Sequence, residues 1–161
     1  MSAGGTDRRA RGKTGEVSVR KARRTDLERV IGIDATVTGI EKDDDRHSVF
    51  HRYGAGNRPE RQFLVAECDG QVVGFVIGEV RDWEFGAPPC GWVFAIDVQP
   101  EYRQRGVASR MLDVLCEGLR ASGVRKLRTM LSRDNVLILS FFRSQGMRTG
   151  PFIPLEMDLD D

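Results

Sequence analysis

The positions of apolar and polar residues along the chain indicate two kinds of element. In some segments apolar residues alternate with polar ones or form short runs bounded by turn residues, which is typical of β-strands. These segments are residues 17–21, 62–68, 71–80, 91–98, 126–131 and 153–159. In other segments apolar residues recur every three or four positions, which indicates helices with one buried face. The segments with this spacing are residues 25–38, 106–122 and 135–145. Residues 41–51 are highly charged, with Val49 and Phe50 as apolar anchors, and are expected to form a second helix or a lid-like segment.

Turn residues between these segments predict how the strands pair. Asp69-Gly70 joins two of them and is a strong signal for a hairpin, so residues 62–68 and 71–80 are expected to be antiparallel. The later strands alternate with helices, as in β-α-β units, whose strands are parallel. The sequence therefore predicts an α/β fold with a mixed sheet.

Two local patterns give more specific predictions. Thr25 is followed three residues later by Glu28, the spacing of a capping box, which predicts Thr25 as the N-cap of the first helix. The last strand-like segment has an apolar residue at every second position, which predicts a final strand with one buried face. These apolar positions are Ile153, Leu155, Met157 and Leu159.

The stretch from residue 90 to residue 116 joins a predicted strand to a predicted helix through a short basic turn. Pro100 ends the strand because it cannot donate to a ladder, and Gly106 allows a close turn into the helix. Arg103 and Arg105 add positive charge between them. The first N–H groups of a helix lack intrahelical partners and lie at the positive end of its dipole. We therefore expect this turn to bind an anion such as a diphosphate.

This turn resembles the acetyl-CoA loop of the GNAT superfamily of N-acetyltransferases. In that loop Gln or Arg is followed three residues later by Gly and then, two residues on, by Gly or Ala, as in Arg103-Gln104-Arg105-Gly106-Val107-Ala108. A second pattern also resembles the family, because Asn135 opens a helix that ends in two aromatic residues, three further residues, Gly146 and Met147. The order of elements over residues 17–159 is similar as well. The resemblance implies a central, mostly antiparallel mixed sheet, flanked by helices, whose parallel strands 4 and 5 splay apart.

The resemblance also implies which residues bind acetyl-CoA as a cosubstrate. The backbone of Ile96, Asp97 and Val98 is expected to pair with the pantetheine arm as though it were an added strand. The amides of the turn and of the first helical residues are expected to hold the pyrophosphate, and Asn135 and Phe142 to lie beside the pantetheine and the thioester. The turn comprises Arg103, Gln104, Arg105, Gly106, Val107, Ala108 and Ser109.

Two departures from the family leave the general acid and base unassigned. Phe142 stands where the family often has a Tyr that protonates the leaving thiolate, and Trp92 or Met130 stands where some members have a Glu base. Glu79 and Asp97, on the third and fourth strands, are the candidate bases, and the Val98 amide is the candidate donor to the oxyanion. The resemblance therefore favours an acetyl-CoA-dependent N-acetyltransferase, with a non-catalytic acyl-CoA sensor or scaffold as the alternative.

Length and composition agree with a soluble globular protein. Of its 161 residues 40% are hydrophobic and 30% charged, and no segment suggests a signal peptide or a membrane span, so we expect one cytoplasmic domain over residues 16–161. Residues 1–15 are expected to be a disordered basic tail. Residues 1–24 carry a net charge of +6 against −5 for the rest. Because the tail lacks aromatic residues and the body is acidic, a solvated tail is favoured over a nucleic-acid arm.

Other chemistries have weaker support. His47 and His51 have the i, i+4 spacing of a metal pair, but a polar helix face is favoured because no third ligand is specified, and no metal is expected. Three widely spaced cysteines indicate reduced thiols, and Cys90 is favoured as a packing residue over an acyl carrier. The expected acceptor is an amine, of a small molecule or of a protein, and a homodimer is compatible with the sequence.

Overall fold

The computed structural model describes residues 15–38, 47–56 and 58–160. Nearly all of the predicted basic tail and the first part of the predicted second helix lie outside these residues. The chain divides into two compact units, Met1–Thr129 and Met130–Asp161. Within the described ranges, no helix is both long and apolar enough to span a membrane.

The first unit contains all five strands. Its elements are β1 (Val17–Lys21), α1 (Leu27–Thr38), β2 (Arg61–Cys68), β3 (Gln71–Arg81), β4 (Cys90–Val98), α2 (Val107–Ala121) and β5 (Leu127–Thr129). A helical segment at residues 47–54 precedes β2 and ends in a π-helical turn. The second unit contains one helix, α3 (Val136–Ser144), which Asn135 caps as predicted.

The sheet has the strand order β1-β2-β3-β4-β5. The pairs from β1 to β4 are antiparallel and β4 pairs with β5 in parallel, which confirms the predicted mixed sheet. Asp69 and Gly70 have φ values of 51° and 78°, so both central residues of the β2–β3 turn are left-handed. This is the geometry that a two-residue hairpin requires, and it explains why an Asp-Gly pair stands there.

One face of the sheet packs against α1 and the helical segment at residues 47–54. The inward side chains of α1 are Leu27, Val30 and Ile33, each at most 2% exposed. They share a core with apolar side chains of β2 and β3 and with Phe50 and Tyr53 from the helical segment. The predicted apolar stripe of α1 is therefore confirmed.

The other face of the sheet packs against α2, and three glycines determine how closely. A Cβ on Gly74, Gly78 or Gly91 would stand within 3.0 Å of a side-chain atom of α2. The facing side chains are Met111, Leu115 and Leu119, which recur every four residues along α2. The helix therefore lies directly on the backbones of β3 and β4, and this places its N-terminus beyond the end of β4.

The start of α1 differs from the prediction. Thr25 lies inside a 3-10 turn (Arg24–Asp26) that precedes the helix. The Asp26 carboxylate accepts the Arg23 N–H at 2.7 Å and two bonds from Arg20, at 2.8 and 3.0 Å. Asp26 replaces Thr25 because a carboxylate bonded to a guanidinium holds the turn more strongly than a hydroxyl would.

The final strand predicted at residues 153–159 is absent from the described residues. Ile153, Leu155, Met157 and Leu159 are 80–92% exposed, and residues 152–160 have no regular secondary structure. The prediction was wrong for this structure because alternation specifies an amphipathic strand but supplies no neighbouring strand to pair with.

Candidate active site

The parallel pair of β4 and β5 ends early and leaves part of β4 without a neighbour. Gly91, Trp92 and Val93 pair with the three residues of β5. β4 continues for five more residues, from Phe94 to Val98, and no strand of the described chain pairs with that part on its β5 side. The parallel pair of strands 4 and 5 that the resemblance implied is therefore present, and it covers only Gly91–Val93 of β4.

A bulge in β4 determines which backbone groups face this open edge. The register of β3 against β4 shifts between Ile77 and Gly78, so that Phe94 has no partner of its own. Beyond the bulge the Gln99 N–H donates to the Val73 carbonyl at 2.8 Å. Because hydrogen-bonded positions alternate along an antiparallel pair, the backbone of Ile96 and Val98 faces away from β3 and towards the open edge.

The loop between β4 and α2 continues from this edge. Gln104 and Gly106 have left-handed φ values of 61° and 77°. The first helical bond of α2 runs from the Arg110 N–H to the Gly106 carbonyl at 3.0 Å, so the amides of Val107 and Ala108 lie ahead of it. Successive amides in a left-handed turn at a helix N-terminus form a concave anion site. A Cβ on Gly106 would have no atom within 4 Å, so this concavity is open.

Two arginines of the loop are already held by contacts. The Arg105 guanidinium lies 5.3 Å from the centre of the Tyr102 ring, a cation–π distance. Arg103 Nε donates to the Val98 carbonyl at 3.4 Å, a long and therefore weak bond on the open edge of β4.

On the α1 face of the sheet, the last residues of β3 carry a buried carboxylate. Glu79 is 8% exposed, and its Oε1 atom accepts from the Tyr53 hydroxyl at 3.2 Å and from Arg81 Nε at 3.1 Å. Burial and the neighbouring charge of Glu79 raise the pKa of Tyr53, which keeps the hydroxyl protonated as a donor. Both bonds use Oε1, and Oε2 has no bond to a described residue.

Aromatic rings surround this carboxylate. Tyr53 stacks on Phe94, the bulged residue of β4, with ring centres 5.9 Å apart. Trp92 lies beneath the Arg81 guanidinium at 4.8 Å, and Phe85 contacts Trp92 edge-on. The indole Nε1 of Trp92 is buried and has no hydrogen-bond acceptor among the described residues. The arrangement can therefore bind an apolar or cationic body and accept a proton at Glu79.

Comparison with known families identifies this combination of edge, loop and helix. The Acetyltransferase (GNAT) family profile matches residues 26–147 of the 161. The chain belongs to this family.

Relatives and solved structures within the family agree with the fold. L-2,4-diaminobutyric acid acetyltransferase of Nocardia farcinica is 34% identical over 87 residues, which are 54% of this chain and 44% of that protein. The chain thus spans less than half the length of this relative. Aminoglycoside N-acetyltransferase AAC(6')-Iy in complex with CoA superposes with a TM-score of 0.79 at 20% identity, over 92% of this chain and 99% of that one.

A second superposition involves a protein named for a different acceptor. Ribosomal-protein-alanine N-acetyltransferase from Brucella melitensis biovar Abortus 2308 superposes with a TM-score of 0.70 at 20% identity, over 90% of this chain and 100% of that one. At such identities the superpositions show the GNAT fold, and the predictions of fold and family are confirmed.

The predicted GNAT site residues of the first unit fall in two places. One group follows the open edge of β4 into the loop before α2 and comprises Ile96, Val98 and residues 103–109. The backbone of Asp97 is directed at β3, opposite Phe75, so its predicted backbone contact with CoA does not fit this register. Asp97 and Glu79 are also separated, because Asp97 lies opposite Phe75, and the four residue steps along β3 from Phe75 to Glu79 span about 13 Å at about 3.3 Å per step. The two candidate bases cannot serve one reacting atom together.

The two remaining predicted residues lie in the second unit. Asn135 Oδ1 accepts the Ile138 N–H at 3.3 Å and thereby caps α3. Phe142 is 4% exposed and its ring contacts Phe141, with centres 5.2 Å apart. Asn135 therefore has a capping role of its own, and its predicted cofactor contact stays a prediction, as does that of Phe142.

Tyr53 was not among the predicted site residues, and it lies two residues beyond the helical segment expected at residues 41–51. In the structure Tyr53 extends the apolar positions Val49 and Phe50 by one helical turn and is 7% exposed. The i, i+4 spacing from Val49 was the available signal. The candidate metal pair His47 and His51 gains no third ligand in the described ranges, where no group of three His, Cys, Asp or Glu side chains forms.

Proposed function

We propose that the chain is an acetyl-CoA-dependent N-acetyltransferase that transfers an acetyl group directly to an amine. The observation that carries the proposal is the open edge of β4 at Ile96 and Val98, which runs into the left-handed loop at the start of α2. An extended, amide-bearing arm that ends in a diphosphate matches such an edge and loop. Membership of the GNAT family supports the same ligand.

The residues present fit this cosubstrate. The pantetheine amides would pair with the outward backbone of Ile96 and Val98, as a strand pairs with an open sheet edge. The diphosphate would lie in the concavity over Gly106, against the amides of Val107 and Ala108. Arg103, which contacts the Val98 carbonyl through a long bond of 3.4 Å, can leave that carbonyl at little cost and reach the phosphates.

Acetyl-CoA supplies an activated acyl thioester, and the protein must orient it and stabilise the charge that develops. The Val98 N–H faces the open edge, so it can donate to the carbonyl oxygen as that oxygen becomes negative. A backbone donor of this kind is fixed by the sheet and needs no rearrangement during the reaction.

The acceptor amine must lose a proton before it can attack. An alkylamine with a pKa near 10.4 is protonated at pH 7, and its deprotonation costs about 4–5 kcal/mol. We assign the base to Glu79, acting directly or through a water at Oε2, because Tyr53 and Arg81 hold its other oxygen in place. The aromatic rings of Tyr53, Phe94 and Trp92 provide a surface for a cationic amine.

This site favours a small-molecule amine as the acceptor. Glu79 is buried beside Tyr53, whose ring stacks on Phe94, and a small amine can enter such confined surroundings more readily than a folded protein can. The names of the related diaminobutyric acid and aminoglycoside acetyltransferases describe small polyamine acceptors. The proposal is tested by following thiol release from acetyl-CoA with a panel of small polyamines, amino acids and peptides with free N-termini.

A non-catalytic acyl-CoA sensor remains the competing function, because Phe142 and Trp92 cannot exchange protons as the Tyr and Glu of other family members do. The two functions predict different results. A sensor binds acetyl-CoA and releases no thiol with any amine, whereas the proposed enzyme releases thiol in proportion to the amine that is acetylated.

A further inference from the structure

The open edge of β4 ends at a point that few backbone bonds hold in place. The N–H and carbonyl groups of Val98 face away from β3, so Val98 depends for its position on the residues before and after it. Gln99 donates its N–H to the Val73 carbonyl at 2.8 Å, and Pro100 follows with no N–H to donate. The ladder of β3 and β4 therefore ends at Gln99, and the ends of elements open more readily than their interiors.

An arginine of α1 bonds this end of β4. Val98 lies opposite Gly74, which faces α2, so alternation directs the Gln99 side chain to the α1 face. There Gln99 Oε1 accepts a hydrogen bond from Nη2 of Arg29. Arg29 Nε donates at the same time to the Val72 carbonyl at 2.9 Å. One guanidinium thus joins the start of β3 to the end of β4, and we call this pair of bonds the Arg29 clamp.

The clamp has a rigid base. Leu27 and Val30, which flank Arg29 on α1, are at most 1% exposed, so the first turn of α1 is anchored in the core. A guanidinium is planar and presents its donors in a fixed fork. Its bond to the Val72 carbonyl therefore also fixes the direction from which it meets Gln99.

We propose that Arg29 and Gln99 are positioning residues that hold the Val98 N–H in place for the acetyl carbonyl, an inference that rests on the proposed acetyl transfer. The Val98 N–H lies on the residue directly before the clamped side chain. An oxyanion is stabilised by donors that are already in place, and a misplacement of about 1 Å can lower a rate by about 10²-fold. The clamp acts through the backbone and touches no substrate.

Exposure distinguishes this role from general support of the fold. Arg29 is exposed and Gln99 is half-buried. Hydrogen bonds between such side chains contribute little to global stability, because water replaces them when they break. The buried face of α1 and the ladder of β3 and β4 do not depend on the clamp. Its loss should therefore loosen the end of β4 and leave the rest of the fold intact.

Two single variants and their combination test the clamp. Arg29→Met removes the donors but keeps an apolar stem, and Gln99→Met removes the acceptor but keeps the backbone bond to Val73. Each should lower kcat for thiol release at least about tenfold and Tm by no more than about 5 °C. The Kd of free CoA, which has no acetyl carbonyl for Val98 to bond, should stay within about threefold of wild type. The double variant should lose no more than the worse single variant, because both changes break one contact.

A matched control removes a similar arginine elsewhere. Arg125 is exposed and its Nη1 lies 3.5 Å from the Val124 carbonyl, so Arg125→Met also removes an arginine that bonds the backbone and should keep the wild-type kcat. An unchanged kcat in Arg29→Met would overturn the proposal. So would a Kd for CoA that rises as much as kcat falls, or losses that add in the double variant.

Hydrogen exchange provides a readout that does not depend on activity. The Gln99 amide should exchange at least about tenfold faster in Arg29→Met than in wild type. The Val80 amide, which bonds the Glu60 carbonyl at 2.8 Å at the far end of β3, should not change. Unchanged exchange at Gln99 would overturn the clamp. A wild type that releases no thiol with any amine would refute the proposed function instead, and faster exchange at Gln99 alone would then still support the clamp.

Discussion

Substitution of Glu79 by Gln tests the proposed base with little disturbance of the fold. The side chain keeps its shape, and its amide oxygen can still accept from Tyr53 and Arg81, whose present distances to Oε1 are 3.2 and 3.1 Å. The Tyr53 bond becomes neutral and the Arg81 bond keeps only the charge of its guanidinium donor, and losing the carboxylate charge costs about 1 kcal/mol per bond. We therefore expect the free energy of unfolding to fall by about 1–2 kcal/mol.

The effect on turnover should be much larger. Loss of a general base lowers rates by about 10²–10⁴-fold, which corresponds to about 2.7–5.4 kcal/mol in the activation barrier. The pH profile should change as well, because the variant depends only on the ionisation of the amine. Its rate should rise about tenfold per pH unit up to the pKa of the amine. Thiol release measured with saturating acetyl-CoA gives both quantities.

Two other carboxylates provide controls. Glu67 on β2 accepts from Arg20 Nε at 2.8 Å, so Glu67→Gln also removes a strand carboxylate paired with an arginine and should leave turnover within about threefold of wild type. Asp97→Asn removes the competing candidate base. If Glu79→Gln retains the wild-type rate and pH profile, Glu79 is not the base. If Asp97→Asn shows the loss instead, the base lies about 13 Å along the sheet from the assigned position.

Two further predictions concern stability. Gly78→Ala should lower the free energy of unfolding by about 1–3 kcal/mol in denaturant titrations, because its Cβ would stand 2.8 Å from the Trp92 carbonyl of β4 and 2.9 Å from the Leu115 side chain of α2. Gly32→Ala, in α1, should instead raise the free energy of unfolding by about 0.5–1 kcal/mol, because its Cβ would have no atom within 4 Å. Equal effects of the two substitutions would contradict the close packing around Gly78. Burial alone would raise the pKa of Asp26, but hydrogen bonds from Arg20 and from the Arg23 amide hold this pKa below its ordinary value. Ionised Asp26 therefore contributes to the free energy of unfolding above about pH 4, and this contribution is lost as the pH falls through the lowered pKa. Asp26→Asn should therefore lower the free energy of unfolding by about 1.5–3 kcal/mol at pH 7 and by progressively less below about pH 4. A difference in stability between wild type and variant that does not change with pH would refute this.

Periodicity in the sequence predicted most of the fold because each element has a nearly complete local signature. The apolar stripe of α1, the Asp-Gly hairpin and the Asn135 cap all depend on residues within a few positions of one another. The start of α1 was predicted wrongly because Arg20, on β1, determines which side chain caps the turn. That contact joins two elements, and a local pattern does not contain it.

The site was predictable to a different degree in its two parts. The glycine at the start of α2 and the basic turn are local, so the loop that we propose for the diphosphate could be located from the sequence. The bulge at Phe94 could not, since it depends on the register of β3 against β4, yet it decides that Ile96 and Val98 face the open edge and Asp97 does not. Alternation likewise predicted a strand at residues 153–159, but a pattern within one segment does not specify the neighbouring strand with which that segment would pair.

The most direct test of the account compares acetyl-CoA binding by two variants at the ends of α2. Gly106 and Gly123 both have left-handed φ values, 77° and 89°, and neither would place a Cβ within 4 Å of another atom. Substitution by Glu therefore costs each a similar backbone strain of about 1–2 kcal/mol. Calorimetric titration should show wild-type affinity for Gly123→Glu and a loss of at least about 100-fold, about 2.8 kcal/mol, for folded Gly106→Glu, because its carboxylate would occupy the phosphate concavity. Equal affinities in the two variants would contradict the placement of acetyl-CoA on the edge of β4 and the start of α2.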